Sequence, residues 1–292
     1  MKLIKPSFEI WEQPTGLEGV YKQIERVGRV CYKSEDKITE DSAKPFVDRM
    51  IRSGHGAMLE HGTVYLQFFW AGAVCQQCNQ TAPNKLLDRY AGNKYSIVKY
   101  HGNDVYVTTN LRVLVENNWL DDLKYICEPT EYHERRVTVH FVCDRGVSHE
   151  FVRHRVMSFA QESTRYCNYS KDKFNNQVTF IIPNWCNSLI EGSEQKYSPF
   201  EINGDEVEFM DALQNAQNSY LSLLKLGWKP QEARAVLPNS LKTELVVTGF
   251  TSDWNHFFDL RARGTTGAPH PQAKELAEPL MKEFITRKYI NN

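Results

Sequence analysis

Fourteen consecutive residues constrain this chain more than any others. Arg153-His154-Arg155-Val156-Met157-Ser158-Phe159-Ala160-Gln161-Glu162-Ser163-Thr164-Arg165-Tyr166 holds three arginines, a histidine and two serines. Few structural roles need that density. A guanidinium is planar, permanently charged and forked to match phosphate or carboxylate oxygens. Serine adds short hydroxyls, and the Gln161 amide can read the edge of a base or ring. A solvated basic helix end is the plain alternative, since cations suit a helix C-terminus. The formal net charge of −1 makes the cluster a local device and not part of a basic face, unlike the basic excess of general nucleic-acid binders.

The flanking pattern is that of a mixed fold. Phe8 to Trp11 reads as a strand. Leu17 to Cys31 reads as a helix, with Val20, Ile24, Val27 and Val30 on one face at three- and four-residue steps. A second helix is expected over Glu40 to Arg52, capped by Thr39 and ended by Gly54. A loop, Gly54 to Gly62, carries His55, Glu60 and His61 into the strand Thr63 to Phe69. Glycines beside histidine and glutamate suit a backbone that approaches a ligand, or equally a solvated turn. Residues 70–136 are less regular, with Asn110 placed to cap a short helix, Leu111 to Glu116, and another helix over Trp119 to Ile126. Val137 to Val142 alternates like a strand, and Gly146 to Arg153 reads as the helix that delivers the arginine cluster. Further on, Val178 to Ile182 reads as a strand stopped by Pro183. A long helix over Asp205 to Leu226 has Val207, Met210, Leu213, Leu221 and Leu224 as core candidates and Gly227 as its stop. Pro230 opens a short helix. Thr243 to Thr251 reads as a strand, Ser252 as the cap of Asp253 to Arg261, and Pro271 to Lys288 as a final helix.

Several chemistries fail on spacing. His149-Glu150-Phe151-Val152-Arg153-His154 nearly spells a zincin helix, but its histidines are five apart. That sets them about 140° apart around a helix, against about 40° for a four-residue step, so they cannot share a metal on one face. Cys75-Gln76-Gln77-Cys78 lacks the second pair of a zinc site. None of the 16 glycines forms GxGxxG, and no Walker A motif exists. Any nucleotide cofactor must therefore be held by a non-Rossmann route, through arginines, serines and helix ends. Ser163 lacks a Gly-x-Ser-x-Gly elbow. The seven cysteines are odd in number and scattered. With no apolar leader at the N-terminus and no run near the roughly 18 apolar residues of a membrane span, they point to free thiols and a cytoplasmic protein.

Arg153-His154-Arg155, seven residues, then Ser163 and Thr164-Arg165-Tyr166 resembles the motif of the flavin-dependent thymidylate synthases. The His55–His61 loop resembles that family's histidine loop ending in Glu-His. Glu232-Ala233-Arg234-Ala235-Val236-Leu237-Pro238 resembles its arginine-bearing segment, and Trp254 to Arg261 its late helix ending in an arginine. The similarity covers about residues 20–66 and 137–287, in the family's order.

The resemblance implies an enzyme that moves a methylene group from methylenetetrahydrofolate to C5 of dUMP and reduces it with a hydride from FAD, giving dTMP. NADPH restores the flavin, and no enzyme nucleophile is needed. It also implies an α+β fold, with a central, mostly antiparallel sheet flanked by helices and a non-Rossmann FAD site. The whole chain, 1–292, is then one such domain, assembled as a homotetramer with sites between subunits and with neither nucleic acid, membrane nor metal as partner. Residue by residue, Arg261 takes the catalytic place, because a guanidinium against the uracil ring favours the charge that makes C5 nucleophilic. Glu150, Phe151, Val152, Arg153, Gln161, Glu162, Ser163, Thr164, Arg165 and Arg234 fall on the dUMP-contacting positions. Arg153, His154, Arg155, Gln161 and His256 fall on FAD contacts, and His55 lies near flavin and folate.

Two departures stand out. Compact members run almost directly from the strand to the helix, whereas here residues 70–136 intervene. Phe250-Thr251-Ser252 replaces polar and basic flavin contacts of some members, and Ala57 lacks a hydroxyl that some carry. The other readings are a nucleotide- or RNA-binding protein, or a related flavoprotein, that uses the same arginine and serine cradle without making thymidylate.

Overall fold

The structure, a computed structural model, describes residues 1–69, 85–192 and 204–291. Its centre is an antiparallel sheet of four strands in the order β2–β6–β9–β7: Ser7–Trp11, Arg136–Asp144, Lys242–Phe250 and Ser158–Gln161. The longest pairing runs nine residues, from Arg136 opposite Phe250 to Asp144 opposite Lys242. Alternation along β6 and β9 sends Val137, Val139, Phe141, Leu245 and Val247 to one face. There they pack under α6 (Arg145–Phe151), α10 (Thr251–Phe258) and α11 (Pro271–Thr286), which contribute Phe151, Trp254, Phe257, Phe258 and Phe284, all fully buried. The opposite face meets α1 (Gly16–Tyr32) through Val27, Val30 and Cys31 against Ala160 and Val246.

The expected central antiparallel sheet flanked by helices is present, and the described residues form two further sheets beside it. β3 (Thr63–Phe69) pairs along its whole length with β5 (Asp104–Asn110), and β5 pairs with β4 (Ile97–His101). The stretch that read as irregular thus contains a hairpin, turned by Gly102-Asn103 with Gly102 at φ +59, a conformation that costs glycine little. This second sheet shares a core with α1 and α2 (Ala43–Arg52) and with α5 (Leu111–Glu116), through Val20, Ile24, Phe46, Leu66, Val107 and Leu114. Asn110 does cap α5, accepting the Val113 N–H at 3.1 Å. The third sheet is a parallel pair, β1 (Lys2–Ile4) with β8 (Thr179–Ile181). It lies beside α8 (Gly204–Lys225), whose Gln217 accepts the Val178 N–H at 2.8 Å. The remaining helices are short: α3 (Gly56–Leu59), α4 (Lys85–Ala91), α7 (Asn187–Gly192) and α9 (Pro230–Ala233).

Local expectations held where the apolar pattern was strong. Val20, Ile24, Val27 and Val30 are all buried, and Gly227, at φ +95, follows α8. Caps fared worse. α2 starts at Ala43 and not Glu40, because Ser42 folds back to accept the Thr39 N–H and donates to Glu25. α10 starts at Thr251, and Asp253, not Ser252, accepts a terminal amide, that of Phe250 at 3.2 Å. Val207 is exposed, since α8 buries the face of Leu213, Gln217 and Tyr220. Cys75 and Cys78 lie outside the described residues. No helix among the described residues is long and apolar enough to cross a membrane.

A buried polar chain links the β3 loop to the main sheet. His61 Nδ1 lies 2.8 Å from Thr248 Oγ1, which lies 2.8 Å from Thr138 Oγ1 on the neighbouring strand. Burial, and then the Arg136 charge, lower the His61 pKa to about 3. The unfolded chain takes up this proton near 6.5 and the folded chain only near 3. Stability is therefore full above that upper value and falls as the pH drops below it. Denaturant midpoints measured from about pH 7.5 to about pH 5 should decline, with this residue contributing up to about 1.4 kcal/mol per pH unit. His61→Asn should flatten the decline; an unchanged slope would assign it to other groups.

Candidate active site

α6 and α10 leave the β6–β9 pair at opposite ends and run back over the same face. Asp144 caps α6 by accepting the Val147 N–H at 2.7 Å. The two helices meet over the middle of the sheet, with Phe151 and Phe257 rings 5.0 Å apart. Beyond α10 the backbone widens into a π-helical turn, Asp259–Arg263, ended by Gly264 in the left-handed region. Such turns re-aim side chains and recur at functional sites. Here the turn carries Arg261.

Arg261 is tied on three sides. Its Nη1 donates to the Glu150 carboxylate at 2.7 Å, its Nη2 to the Glu150 carbonyl at 2.7 Å, and its Nε to His154 Nε2 at 3.2 Å. Its side chain is only 13% exposed. Three of five N–H donors are thereby used, and two remain for a ligand. Because Nε2 accepts, His154 carries its proton on Nδ1. Burial, then the charges of Arg261 and His256, lower its pKa to about 4. The His256 ring stands 5.8 Å from that of His154. Arg153, two-thirds exposed, pairs with Glu150 at 3.0 Å.

Arg261, His154, His256 and Arg153 line a cavity of about 300 Å³ with Arg155, Val156, Met157, Asp253 and Leu260. Met157 seats against β9 at Gly249, where a Cβ would come within 2.7 Å of its Cε. A larger residue there would have to displace the Met157 side chain. The donor set fits FAD: the fork of Arg155, and that of Arg153 beyond the one nitrogen it shares with Glu150, suit phosphate oxygens, while Val156, Met157 and Leu260 offer an apolar bed for a flat ring. The cavity sits at the low end of the roughly 300–1,000 Å³ that holds drug-sized ligands, and FAD is larger.

The second half of the motif lies elsewhere. Ser163 donates its backbone N–H to Cys31 at the end of α1, and Arg234 donates to Thr164 Oγ1 at 2.8 Å. Arg165 and Arg234 are exposed. Other expected site residues are committed to the protein itself. Phe151 is fully buried in the core, so any ligand contact there is through backbone. The Gln161 amide donates to Ser148 Oγ at 2.9 Å and to Thr243 Oγ1 at 3.2 Å. Glu162 is buried and accepts from Lys242 at 2.8 Å. Val152 is partly exposed. His55 lines a different cavity, which shares no residue with the first.

Sequence reasoning missed the charge chain behind this stretch. Lys242 bridges Glu162 and Glu244, and Glu244 also accepts from Lys33 at 2.7 Å and pairs with His140 at 3.0 Å. Burial alone would raise the Glu244 pKa, but the His140 hydrogen bond and the two lysines hold it well below the usual carboxylate range. The period-two spacing of Lys242, Glu244, Val246 and Thr248 was the available signal. Among the described residues the thiols are unactivated: burial pushes Cys31 and Cys127 up to about 11 and Cys167 to about 12, and raises Cys143 and Cys186 as well. No cluster of three or more His, Cys, Asp or Glu suited to a metal exists among the described residues.

Comparison with known proteins decides the family. Residues 129–287 match the profile of the thymidylate synthase complementing proteins. The flavin-dependent thymidylate synthase of Corynebacterium aurimucosum is 32% identical over 280 residues, 93% of this chain and 78% of that one. The chain belongs to the thymidylate synthase complementing protein family. The enzyme of the same name from Geobacter sulfurreducens is 32% identical over 117 residues, spanning 40% of this chain and 43% of its own length. That from Corynebacterium diphtheriae is 28% identical over 60% of this chain and 70% of its own. Among solved structures, a UMP/dUMP methylase, PolB from Streptomyces cacaoi, aligns over 98% of this chain and 92% of its own at 16% identity, with a TM-score of 0.46. Within the thymidylate synthase complementing proteins, this chain places its motif arginine and histidine, Arg153 and His154, in one cavity with Arg261.

The His154 geometry predicts a neutral ring with Nδ1 protonated. Nitrogen-15 spectra of the imidazoles at about pH 6 should show this tautomer, titrating only towards about pH 4. A midpoint near the ordinary histidine value would contradict the Arg261–His154 bond.

Proposed function

We propose that this protein methylates dUMP to dTMP, with methylenetetrahydrofolate as carbon donor. FAD reduced by NADPH supplies the hydride when bound. The observation that carries the reading is the convergence of Arg261, Glu150, His154, Arg153 and His256 over one face of the sheet, in a chain of this family.

Arg261 has the central role. Its charge is held in a largely dry site by Glu150 and a neutral His154. Its two uncommitted N–H groups would face the uracil ring and stabilise the negative charge that makes C5 nucleophilic. Being anchored beforehand, it needs no reorganisation as that charge develops. Ser163, Thr164, Arg165 and Arg234 would bind the phosphate, with Thr164 orienting Arg234. Arg153, His154, Arg155 and His256 would hold FAD, together with Gln161 through its free carbonyl. Glu150, Phe151, Val152 and Glu162 line or back the dUMP position. The raised thiol pKa values support chemistry without a cysteine nucleophile.

We also infer a homotetramer whose sites close between subunits, each chain acting as one functional unit. The single-chain cavity is too small for FAD, and the Arg261 and His55 sides fall in separate cavities. A second copy would join them.

Arg261→Ala should lower the turnover number for dTMP at least about 100-fold while flavin absorbance of the purified protein is retained. Near-normal turnover would refute the role of Arg261, and a protein that takes up no flavin would refute the function.

A further inference from the structure

The cavity that holds His55 is a cationic cleft of about 680 Å³ between the end of α1 and α2. Arg29, Lys33, Lys37, Arg49 and Lys173 line it, against a single carboxylate, Asp36. Some of this charge is answered. Arg29 pairs with Glu25, and Lys33 with Glu35 and Glu244. Arg49 and Lys37 have no carboxylate partner among the described residues, and both are exposed. Arg49 only leans over the Phe46 ring, at 5.3 Å. Lys173 donates to the Lys33 carbonyl, so its charge is also unneutralised.

A wide, excess-positive cleft suits an anion with separated charges. Its serine hydroxyls are few for a cradle around one phosphate: Ser34 and Ser53 line it, and Ser53 already donates to the Arg49 carbonyl at 2.8 Å. At the rim the Tyr32 ring stands 5.3 Å from that of Tyr166, both exposed, giving flat apolar surface beside the cations. Tyr166 closes the motif stretch, and Ser163 is tied to Cys31 next to Tyr32. The cleft therefore abuts the proposed dUMP phosphate position. dUMP and FAD each have their own arginines; of the two remaining co-substrates NADPH carries clustered phosphates, whereas methylenetetrahydrofolate has an anionic end with separated charges. That end is an aromatic aminobenzoyl group followed by glutamate carboxylates.

We propose that this cleft anchors the p-aminobenzoyl-glutamate end of the folate donor, with Arg49 and Lys37 binding carboxylates and Tyr32 facing the aromatic ring. The assignment rests on the thymidylate reading. It makes the cleft a selector for donors with several glutamates, because each added carboxylate finds another cation.

The test uses the FAD-loaded enzyme with mono- and triglutamyl methylenetetrahydrofolate. The wild type should show the lower KM for the triglutamyl donor. The Arg49→Gln/Lys37→Gln variant changes only exposed side chains. It should raise that KM about tenfold, as expected for two partly exposed ion pairs, and erase the preference, with kcat, dUMP KM and flavin content unchanged. A variant that keeps the preference overturns the proposal. Calorimetry with p-aminobenzoyl-triglutamate separates this from the function itself. Binding by the wild type that is lost in the variant upholds the subsite even if no dTMP forms, in which case the thymidylate reading alone fails. No binding, equal binding in both proteins, or equal competition by inorganic pyrophosphate overturns the subsite.

Discussion

A guanidinium that is almost wholly out of water must be answered by fixed partners, and much of this architecture follows from answering Arg261. Glu150 gives it a carboxylate and a carbonyl, and His154 gives it a ring nitrogen. Those partners come from the end of α6 and the turn after it. Arg261 comes from the π turn after α10. The two segments meet only because β6 and β9 pair over nine residues and send their following helices back across the same face. Phe141, Phe151, Phe257 and Trp254 fill the space beneath. Losing one of these rings would open a core cavity, an effect of about 3–5 kcal/mol, and would also loosen the charge above it. Packing and chemistry are coupled here through one aromatic layer.

The sheet's other face does different work. Alternation that sends Phe141 and Val247 into the aromatic layer sends Thr138, His140, Glu244 and Thr248 the opposite way. These residues meet Lys33, His61 and Glu162. A polar face at a helix–sheet contact is costly unless every group is partnered. Two lysines and a histidine answer Glu244 and one oxygen of Glu162, and His61 Nδ1 with Thr248 binds the β3 loop; the second Glu162 oxygen and His61 Nε2 are buried without a hydrogen-bond partner among the described residues. The second sheet reaches the same region: Arg112, from α5, pairs with Glu60 beside His61. The described part of this stretch, residues 85–135, therefore braces the histidine loop and adds two strands to β3.

Much of this was legible in the sequence, and the limits are physical. The α1 stripe was readable because four apolar residues at helical spacing all face one core. The motif stretch was readable because arginine, histidine and serine at that spacing have few structural uses. The β4–β5 hairpin was not recognised, although Gly102-Asn103 marks it, because Lys99, Tyr100 and His101 are exposed and blur the alternation. β8 was read within Val178 to Ile182, but its partner β1 was not, since three residues gain a partner 177 positions away only after the chain has folded (Lys2 opposite Thr179). Phe151 shows how composition misleads within a motif: its position suggested a ligand contact, and its side chain is core. No pattern of residue types announces a π turn, yet that turn aims Arg261.

The central claim is that this chain unites dUMP, a folate donor and a reduced flavin around Arg261. Its most direct test is a single turnover without oxygen. FAD-loaded protein, reduced beforehand, is mixed with dUMP and methylenetetrahydrofolate, and the oxidised-flavin absorbance and dTMP are followed together. The account predicts that the absorbance returns with one dTMP formed per flavin, and only when both substrates are present. A flavin that stays reduced, or that reoxidises without dTMP, would contradict it.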